Sequence, residues 1–367
     1  MHFFIRLRTY GVCACLASAV LAACSSGGQS SFGSTGVTPS GHQTGLPMLA
    51  GMRDAALTMP HFVQPNVHTD HGQSFMRPGK KARALLYVGD WSTNDVYVYD
   101  YLSGTAVGTI SGNDEPYGMC VDAKGDIYIS NFGNGTINEY AHGGTSPINT
   151  YSPGGELIGC SVSAKGDVAA TSFDPGEVTV YARGDPNDGT AYIDAGCDYL
   201  WTMGYDAAGD LVGVGEYSSI NVCALMAGSK SETTLTKSGI TIAFPGGTTW
   251  DGKYVALGDQ EARGSYQTGV WPSTISGTTI TAVTAEVKFA DTCDGDYSDD
   301  ANPFFVSETN VTPKTGEQAK NMAGPDLDCS ASVVDVWKYP TGGDPIKAIS
   351  LSSIEEPYGG AVSIAAH

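Results

Sequence analysis

Short apolar runs separated by turn residues recur along the chain from about residue 84 onward. Within residues 115–140, the apolar runs at 119–121 and 127–129 and the alternating Ile-Asn-Glu-Tyr of 137–140 are separated by turns rich in Gly, Asn and Asp. Runs of β-branched and aromatic residues favour strands, and glycine adopts the positive φ that tight turns need. The stretch therefore predicts three consecutive antiparallel strands.

The same arrangement returns with a regular period. Spacings of 41 or 43 residues separate the successive turn glycines, which are Gly125, Gly166, Gly209, Gly252 and Gly295. A period near 40 residues with several short strands in each repeat is typical of stacked β-sheets, as in propellers. The pattern predicts an all-β chain whose repeats are the blades of one domain.

The two ends of the predicted domain belong together. Residues 356–359 repeat the Glu-Pro-Tyr-Gly of residues 115–118, but the chain stops after one strand of that last repeat. The three strands at residues 85–111 lack a first strand. Pairing them with residues 357–367 closes a ring without free sheet edges. We predict six blades: 357–367 with 85–111, then 116–152, 157–193, 199–236, 243–288 and 289–352.

The sequence of residues 116–131, Pro-Tyr-Gly-x-x-x-Asp-x-x-Gly-Asp-Ile-Tyr-Ile-x-Asn, resembles the repeat of the NHL-type six-bladed β-propellers. The resemblance covers residues 84–367 and is strongest over 116–140. It implies a family that includes extracellular sensor and binding domains, with lactonases and antibiotic lyases among its neighbours. The fold alone does not decide between these functions.

The N-terminal region predicts an exported lipoprotein. Residues 1–23 have a basic start and an apolar segment, and the Leu-Ala-Ala-Cys that ends at Cys24 resembles a bacterial lipobox. We expect a signal peptide over 1–23 and a lipid on Cys24; the alternative is an ordinary secretory signal cleaved near Ala23. Ser25 favours the outer membrane, on its periplasmic or surface side. Residues 24–80, rich in Ser, Gly and Pro, predict a disordered linker before the propeller at 84–367.

The net charge of the chain limits the classes of partner that we expect. The chain has 39 acidic and 19 basic side chains, a formal net charge of −20. A surface of this sign repels nucleic acid and anionic lipid headgroups, so we expect membrane contact only through the lipid. It suits a cationic partner, Ca²⁺, or solubility alone. We expect a monomer whose partner is a glycan, a peptide or another protein.

Six cysteines follow Cys24, and an even number in an exported chain predicts disulfides. Cys120 and Cys160 lie on equivalent inner strands, and their side chains point to opposite faces. Neighbouring blades present opposite faces to each other, so this parity brings the two sulfurs together. Cys197 with Cys223 is the second candidate pair. Cys293 with Cys329 is the third, although the repeats place these two at opposite ends of their strands.

A ligand is expected on the loops that surround the channel mouth. The candidates are carboxylates and amides interleaved with aromatic residues: Asp90, Trp91, Glu115, Tyr117, Asn131, Phe132, Asp198, Trp201, Glu216, Asp259, Glu356 and Tyr358. Aromatic faces stack on sugar C–H groups or on cations, and carboxylates accept hydrogen bonds. The alternative is that the acidic loops are solvated and the aromatic rings only pack between blades.

Catalysis has less support in the sequence. The histidines of the predicted propeller, His142 and His367, map to the opposite side or to the chain end, and no Gly-x-Ser-x-Gly or His-Glu-x-x-His motif occurs. We therefore assign no catalytic residue and no firm cofactor, and we expect a binding module. The alternative is a metal-dependent hydrolase or lyase. Possible Ca²⁺ ligands lie in one acidic run: Asp291, Asp294, Asp296, Asp299 and Asp300.

Overall fold

Antiparallel strands make up more than half of the residues that the computed structural model describes, which are 72–77, 84–101, 103–193, 196–216, 218–262, 268–290, 306–307, 318–326, 333–351 and 354–365. Within these ranges the strands are separated by turns, and the single helical element is a 3₁₀ turn at Ala182–Gly184. None of the helical structure described there is long and apolar enough to cross a membrane. The predicted all-β class is confirmed.

The first half of the described chain holds three groups of strands. The first group is β1 (Phe75–Met76), β2 (Ala84–Asp90), β3 (Asp95–Asp100) and β4 (Thr105–Ile110). The second is β5 (Pro116–Val121), β6 (Ile127–Asn131), β7 (Thr136–Tyr140) and β8 (Pro147–Tyr151). The third is β9 (Leu157–Val162), β10 (Val168–Ser172), β11 (Glu177–Tyr181) and β12 (Gly189–Ile193).

The second half continues the pattern. The fourth group is β13 (Tyr199–Tyr205), β14 (Leu211–Glu216), β15 (Ile220–Leu225) and β16 (Thr233–Ser238). The fifth is β17 (Pro245–Trp250), β18 (Val255–Asp259), β19 (Thr268–Ser276), β20 (Thr279–Ala282) and β21 (Val287–Phe289). The last strands are β22 (Val306–Ser307), β23 (Asn321–Asp326), β24 (Val333–Lys338), β25 (Lys347–Ser350) and β26 (Pro357–Ile364).

The predicted closure of the domain by its two ends is confirmed. Strand β26 pairs antiparallel with β2, with Val362 opposite Leu86, and the sheet order is β1-β4-β3-β2-β26. Strand β1, which the sequence places in the linker, pairs with β4 and becomes the outermost strand of this sheet. The N-terminal strands of the domain therefore depend on its C-terminal strand.

The other sheets follow the predicted repeat closely. Strands β5–β8, β9–β12 and β22–β25 form three four-stranded sheets. The groups β13–β16 and β17–β20 are also four-stranded meanders, but a parallel pairing of β16 with β20 joins them into one nine-stranded sheet that includes β21. The described strands thus form five sheets that contain six four-stranded meanders, and six separate blades remain a prediction.

The innermost strands contact one another in the order β26, β5, β9, β13, β17, β22, and β22 contacts β26 again. Glycine in the Pro-Tyr-Gly motif permits this close approach. A Cβ atom at Gly359 would overlap the carbonyl oxygen of Tyr117, and one at Gly118 would overlap that of Ile158. Close backbone contact explains why the motif carries glycine at this position.

The turn that sets the repeat period has a defined geometry. Gly125 has a φ of 87°, a left-handed conformation in which side chains are strained. The carboxylate of Asp122 accepts hydrogen bonds from the backbone N–H of Lys124 at 2.8 Å and of Asp126 at 2.9 Å. Equivalent bonds go to the Ser163 hydroxyl and to the Asp206 carboxylate in the next two turns, so the period of the sequence is the period of this turn. The turn at Gly252 is a variant, in which Asp251 accepts from the backbone N–H groups of Lys253 and Tyr254.

Apolar cores lie between adjacent sheets. Leu86 and Val88 of β2 pack with Val334 and Val336 of β24, and all four side chains are buried. The opposite face of the first sheet packs on the sheet of β5–β8 in the same way. Because both faces of each sheet are covered, burial of apolar surface stabilises the domain around the whole ring.

Two of the three predicted disulfides are confirmed. Cys120 of β5 is bonded to Cys160 of β9, with Cα atoms 5.6 Å apart, and this bond links two innermost strands. Cys197 is bonded to Cys223 of β15, with Cα atoms 6.5 Å apart. The predicted pair of Cys293 and Cys329 lies outside the described residues.

Candidate functional site

The predicted site residues lie where the first strand of each meander begins and the second strand ends. Tyr117, Trp201 and Tyr358 are at or near the start of β5, β13 and β26, whereas Trp91 and Phe132 directly follow β2 and β6. In an antiparallel meander these two points lie at the same end of the strands. We call this end of the sheets the mouth side. The sequence pattern therefore gathers the aromatic residues on one side of the molecule.

Four of the rings form a first aromatic group, which consists of Trp91, Tyr117, Phe132 and Tyr358. The centroid of Trp91 lies 5.0 Å from that of Phe132 and 5.3 Å from that of Tyr358. Tyr117 lies 5.1 Å from Tyr358 and 5.6 Å from Trp91. Edge-to-face and tilted contacts at these separations are favourable for aromatic rings. Rings from two adjacent meanders, β26 with β2–β4 and β5–β8, therefore share one layer.

A second aromatic group continues the layer and consists of Phe173, Tyr199, Trp201 and Phe244. Phe173 lies 5.3 Å from Tyr199 and 5.5 Å from Trp201, and Trp201 lies 5.8 Å from Phe244. Rings of both groups share one apolar cluster with Ile158. We call the two groups together the aromatic face. Its tryptophans are buried, but Phe132, Phe173, Phe244 and Tyr358 keep part of their surface exposed.

Asp90, at the end of β2, holds the loop that leads into β26. Its carboxylate accepts hydrogen bonds from the backbone N–H groups of Ser92 at 3.0 Å, Glu355 at 2.9 Å and Glu356 at 3.2 Å. The side chain is completely buried, and burial raises its pKa although the three donors favour the charged form. Asp90 thus directs its oxygens into the protein.

Asp259 occupies the equivalent position at the end of β18 and makes equivalent bonds. It accepts hydrogen bonds from the backbone N–H groups of Ala243 at 2.9 Å, Phe244 at 3.1 Å and Glu261 at 3.1 Å. These bonds fix the residue that supplies the Phe244 ring to the aromatic face. The sequence identified both aspartates as site residues, but it did not reveal that their carboxylates bind the adjoining loops.

Asn131, at the end of β6, makes a reduced version of this contact. Its side-chain oxygen accepts a hydrogen bond from the backbone N–H of Asp114 at 3.1 Å, and its amide donates to Thr136 at 3.2 Å. The side chain is fully buried. Three meanders therefore use the last residue of the second strand to hold the loop that enters a first strand.

Glu286 adds a second carboxyl group beside Asp259. The side chain of Glu286 is largely buried, and its Oε2 lies 3.1 Å from Nζ of Lys288. Burial is the main cause that raises the pKa of Glu286 to about 7, and the nearby charge of Asp259 raises it further. The Glu286 carboxyl group beside this loop-holding aspartate is therefore partly protonated near neutral pH.

The fourth meander departs from the pattern. Glu216 ends β14, as Asp90 ends β2, but the loop before β13 is held by the Cys197–Cys223 disulfide. The amide of Asn221 also donates a 2.8 Å hydrogen bond to the carbonyl oxygen of Gly196 in that loop. Glu216 is half-buried and lies directly opposite Tyr199 of the second aromatic group. Burial raises its pKa above the ordinary value of 4.5.

Glu115 has a strained backbone beside the first aromatic group. Its φ is 53°, in the left-handed region that glutamate rarely adopts. The side-chain oxygen of Asn94 accepts a hydrogen bond from the Glu115 N–H at 2.7 Å, and Phe132 N–H donates to the Glu115 carbonyl at 3.0 Å. Such conformations cost about 1–3 kcal/mol and persist where surrounding contacts enforce them, often at functional sites. Sequence analysis did not predict this backbone strain.

The remaining predicted residues have plainer settings. Asp198 and Glu356 are half-buried on the mouth side, and Glu356 accepts a backbone hydrogen bond from Trp91 N–H at 3.0 Å. In the ranges that the structure describes, no three His, Cys, Asp or Glu side chains converge as a metal site would require. The predicted Ca²⁺ ligands lie outside those ranges: Asp291, Asp294, Asp296, Asp299 and Asp300.

Comparisons with known proteins support the fold. A propeller chain in the crystal structure of a nidogen–laminin complex is similar over 77% of this chain and 100% of its own length, with 11% identity and a TM-score of 0.57. The crystal structure of a functionally unknown protein from Desulfotomaculum acetoxidans is similar over 77% of this chain and 99% of its own, with 10% identity and a TM-score of 0.51.

Sequence comparisons add no family. No family model matches the chain, and the search of curated proteins gives no significant match. At identities near one in ten, the structural similarity concerns the fold alone. The chain therefore has the β-propeller fold, and its function has to be argued from the mouth side.

Proposed function

We propose that this chain is a non-catalytic binding module whose propeller holds a ligand against the aromatic face. The observation that carries the proposal is the aromatic face: two groups of four rings, with contacting centroids 5.0 to 5.9 Å apart within each group, that meet in one apolar cluster with Ile158. Rings packed this closely form a rigid surface on which ligand groups can stack. The ligand is a glycan or a basic peptide, because both present groups that stack on aromatic rings and approach carboxylates.

The surroundings of the aromatic face support this proposal. Glu115 and Glu356 border the first aromatic group, and Asp198 and Glu216 lie near the second. Buried Asp90 and Asp259 hold the adjoining loops, so the rings are positioned before a ligand arrives. Preorganisation of this kind lowers the entropy cost of binding.

The disulfides indicate an oxidising compartment and so an exported protein. Within that compartment we infer a lipoprotein anchored through Cys24 to the outer membrane, on its periplasmic or surface side, and related to NHL-repeat propellers. Membrane contact is through the lipid, and nucleic acid is not a partner. A tethered domain of this kind presents its mouth side to ligands at the cell envelope.

A binding screen on the purified chain tests the proposal. We expect calorimetry to detect a member of a glycan and basic-peptide panel, and the same ligand to raise the melting temperature by mass action. Phe132→Ala and Tyr358→Ala should each weaken that binding by about tenfold, because each removes an accessible ring from the first aromatic group.

A matched control is Phe75→Ala on the outermost strand β1. Phe75 is 52% exposed and remote from the aromatic face, so its replacement should leave affinity unchanged. Equal effects of all three substitutions, or a ligand that binds without any dependence on Phe132 and Tyr358, would contradict the proposal. A melting-temperature response to Ca²⁺ or Mg²⁺ that EDTA abolishes would instead favour the metal-dependent hydrolase or lyase.

A further inference from the structure

In three meanders the last residue of the second strand holds the loop that enters a first strand. Glu216 is at the same position in the fourth meander, and it does not have this role. Asp90, Asn131 and Asp259 each use side-chain oxygens to accept backbone N–H groups of a neighbouring loop. In the fourth meander a disulfide and the Asn221 amide hold the corresponding loop. The side chain of Glu216 makes no hydrogen bond or ion pair with any of the described residues, and burial is the cause that raises its pKa.

Lys237 of strand β16 forms no ion pair with Glu216. Ile220 lies opposite Glu216 across β14 and β15, and Nζ of Lys237 donates a 2.6 Å hydrogen bond to the Ile220 carbonyl oxygen. Burial lowers the pKa of Lys237, and no charge pairing offsets this effect. The Lys237 ammonium is therefore directed at a backbone acceptor, and the half-buried Glu216 carboxylate keeps an uncompensated charge.

One residue of the second aromatic group lies directly across the sheet from Glu216. Tyr199 is the cross-strand neighbour of Glu216, and directly opposed side chains lie on the same face of a sheet. The Tyr199 ring contacts Phe173, which contacts Trp201 in turn. A partly desolvated carboxylate beside aromatic faces attracts an organic cation through charge and cation–π interactions together.

We propose that Glu216 and the second aromatic group form a subsite for an alkylammonium group. This inference rests on the proposed binding function and names the chemical group that the ligand brings to the fourth meander. A metal ion is a poor fit, because a hard cation requires several oxygen ligands and no three acidic, His or Cys side chains converge among the described residues. A neutral sugar would leave the charge of Glu216 without a partner.

Calorimetry with choline and its neutral analogue 3,3-dimethylbutan-1-ol tests the subsite on the full chain. The two probes have nearly the same shape and differ in charge. We expect saturable choline binding and an affinity for the alcohol that is at least about tenfold lower, since the alcohol lacks the charge that Glu216 and the rings recognise. Glu216→Gln should lower choline affinity by about tenfold.

Glu355→Gln is the matched control, because Glu355 is an exposed mouth-side carboxylate that accepts a hydrogen bond from Ser92. It should leave choline affinity unchanged. Choline affinity should also fall with acidification at a pH above the 4.5 of an ordinary glutamate, since the Glu216 pKa is raised. Urea unfolding of Glu216→Gln verifies that this variant is folded.

Two failures have different meanings. If choline does not bind, or binds Glu216→Gln as well as the original chain, the subsite is overturned. The binding function survives that result if a glycan or peptide still depends on Phe132 and Tyr358. If neither the panel nor choline binds, both proposals are wrong.

Discussion

The loops that enter β26 and β13 occupy equivalent places in the fold, but different chemistry holds them. A buried carboxylate, Asp90, binds the first loop through three backbone N–H groups. A disulfide between Cys197 and Cys223 fixes the second loop. Because the disulfide holds this loop, Glu216 at the equivalent position is not needed to hold it. In a repeat protein, a second contact can thus replace the loop-holding side chain of one repeat, and that side chain can then take another role.

The largest expected effect comes from removing the carboxylate that holds the first loop. Asp90→Ala leaves three backbone donors without their acceptor in a buried site, and each costs on the order of 1–3 kcal/mol. We expect a loss of about 4 kcal/mol in the free energy of unfolding, measured by urea denaturation. Asp90→Asn should cost less, because an amide retains one acceptor oxygen, as Asn131 does. Equal losses for both variants would show that hydrogen bonding is not what Asp90 supplies.

The second loop should respond to loss of its disulfide by a somewhat smaller amount. The bond closes a sequence separation of 26 residues, and such crosslinks contribute about 3 kcal/mol to stability. The Cys197→Ser, Cys223→Ser double variant should lose about that much in urea denaturation. The Asn221 contact to Gly196 remains in this variant. An unchanged unfolding free energy would mean that Asn221 alone is sufficient to hold the loop.

The smallest expected effect is a pH dependence of the free energy of unfolding near Asp259. Asp259 differs from Asp90 in having a second carboxyl group, Glu286, beside it. The pKa of Glu286 is 4.5 in an ordinary setting and about 7 in the folded chain, so the folded state binds this proton more tightly. Its contribution to stability is complete below pH 4.5 and is lost as pH rises through about 7. Glu286→Gln, which cannot ionise, should therefore reduce the fall in unfolding free energy between about pH 5 and pH 8 by about 1 kcal/mol.

The control for this effect is Glu177→Gln, which replaces a half-buried glutamate at the start of β11, away from Asp259. Its unfolding free energy should follow that of the original chain across the same pH range. A Glu286→Gln variant with an unchanged pH dependence would show that Glu286 is ionised at neutral pH in the folded chain.

The repeat could be predicted from the sequence because it depends on residues that are close together in the chain. Three of the turns combine a glycine at positive φ with a side-chain acceptor three residues before it, as Asp122 stands before Gly125, so the turns are visible as a period. The Cys120–Cys160 pairing followed from the alternation of side chains along equivalent strands. Closure by β26 followed from a repeated Glu-Pro-Tyr-Gly. All three signals depend on neighbours in sequence or on repeat phase.

Features that depend on irregular contacts between repeats were not predictable in this way. Strand β1 consists of only two residues, Phe75–Met76, within a stretch of linker composition, and its pairing with β4 carries no periodic signal. The parallel pairing of β16 with β20 joins strands of different repeats. The sequence also placed Asp90 and Glu216 in one class of mouth-side acids. Only the hydrogen bonds separate a carboxylate directed inward from one that has no partner.

Strand β1 also decides how the domain would respond to mechanical load. A pull on the chain from its N-terminal side first reaches Phe75–Met76, whose pairing with β4 spans two residues and separates at low force. The load then passes to β2, which is hydrogen-bonded to β3 on one side and to β26 on the other. The outermost strand would therefore extend before the ring opens, and it would spare the mouth side from tension applied from the N-terminal side.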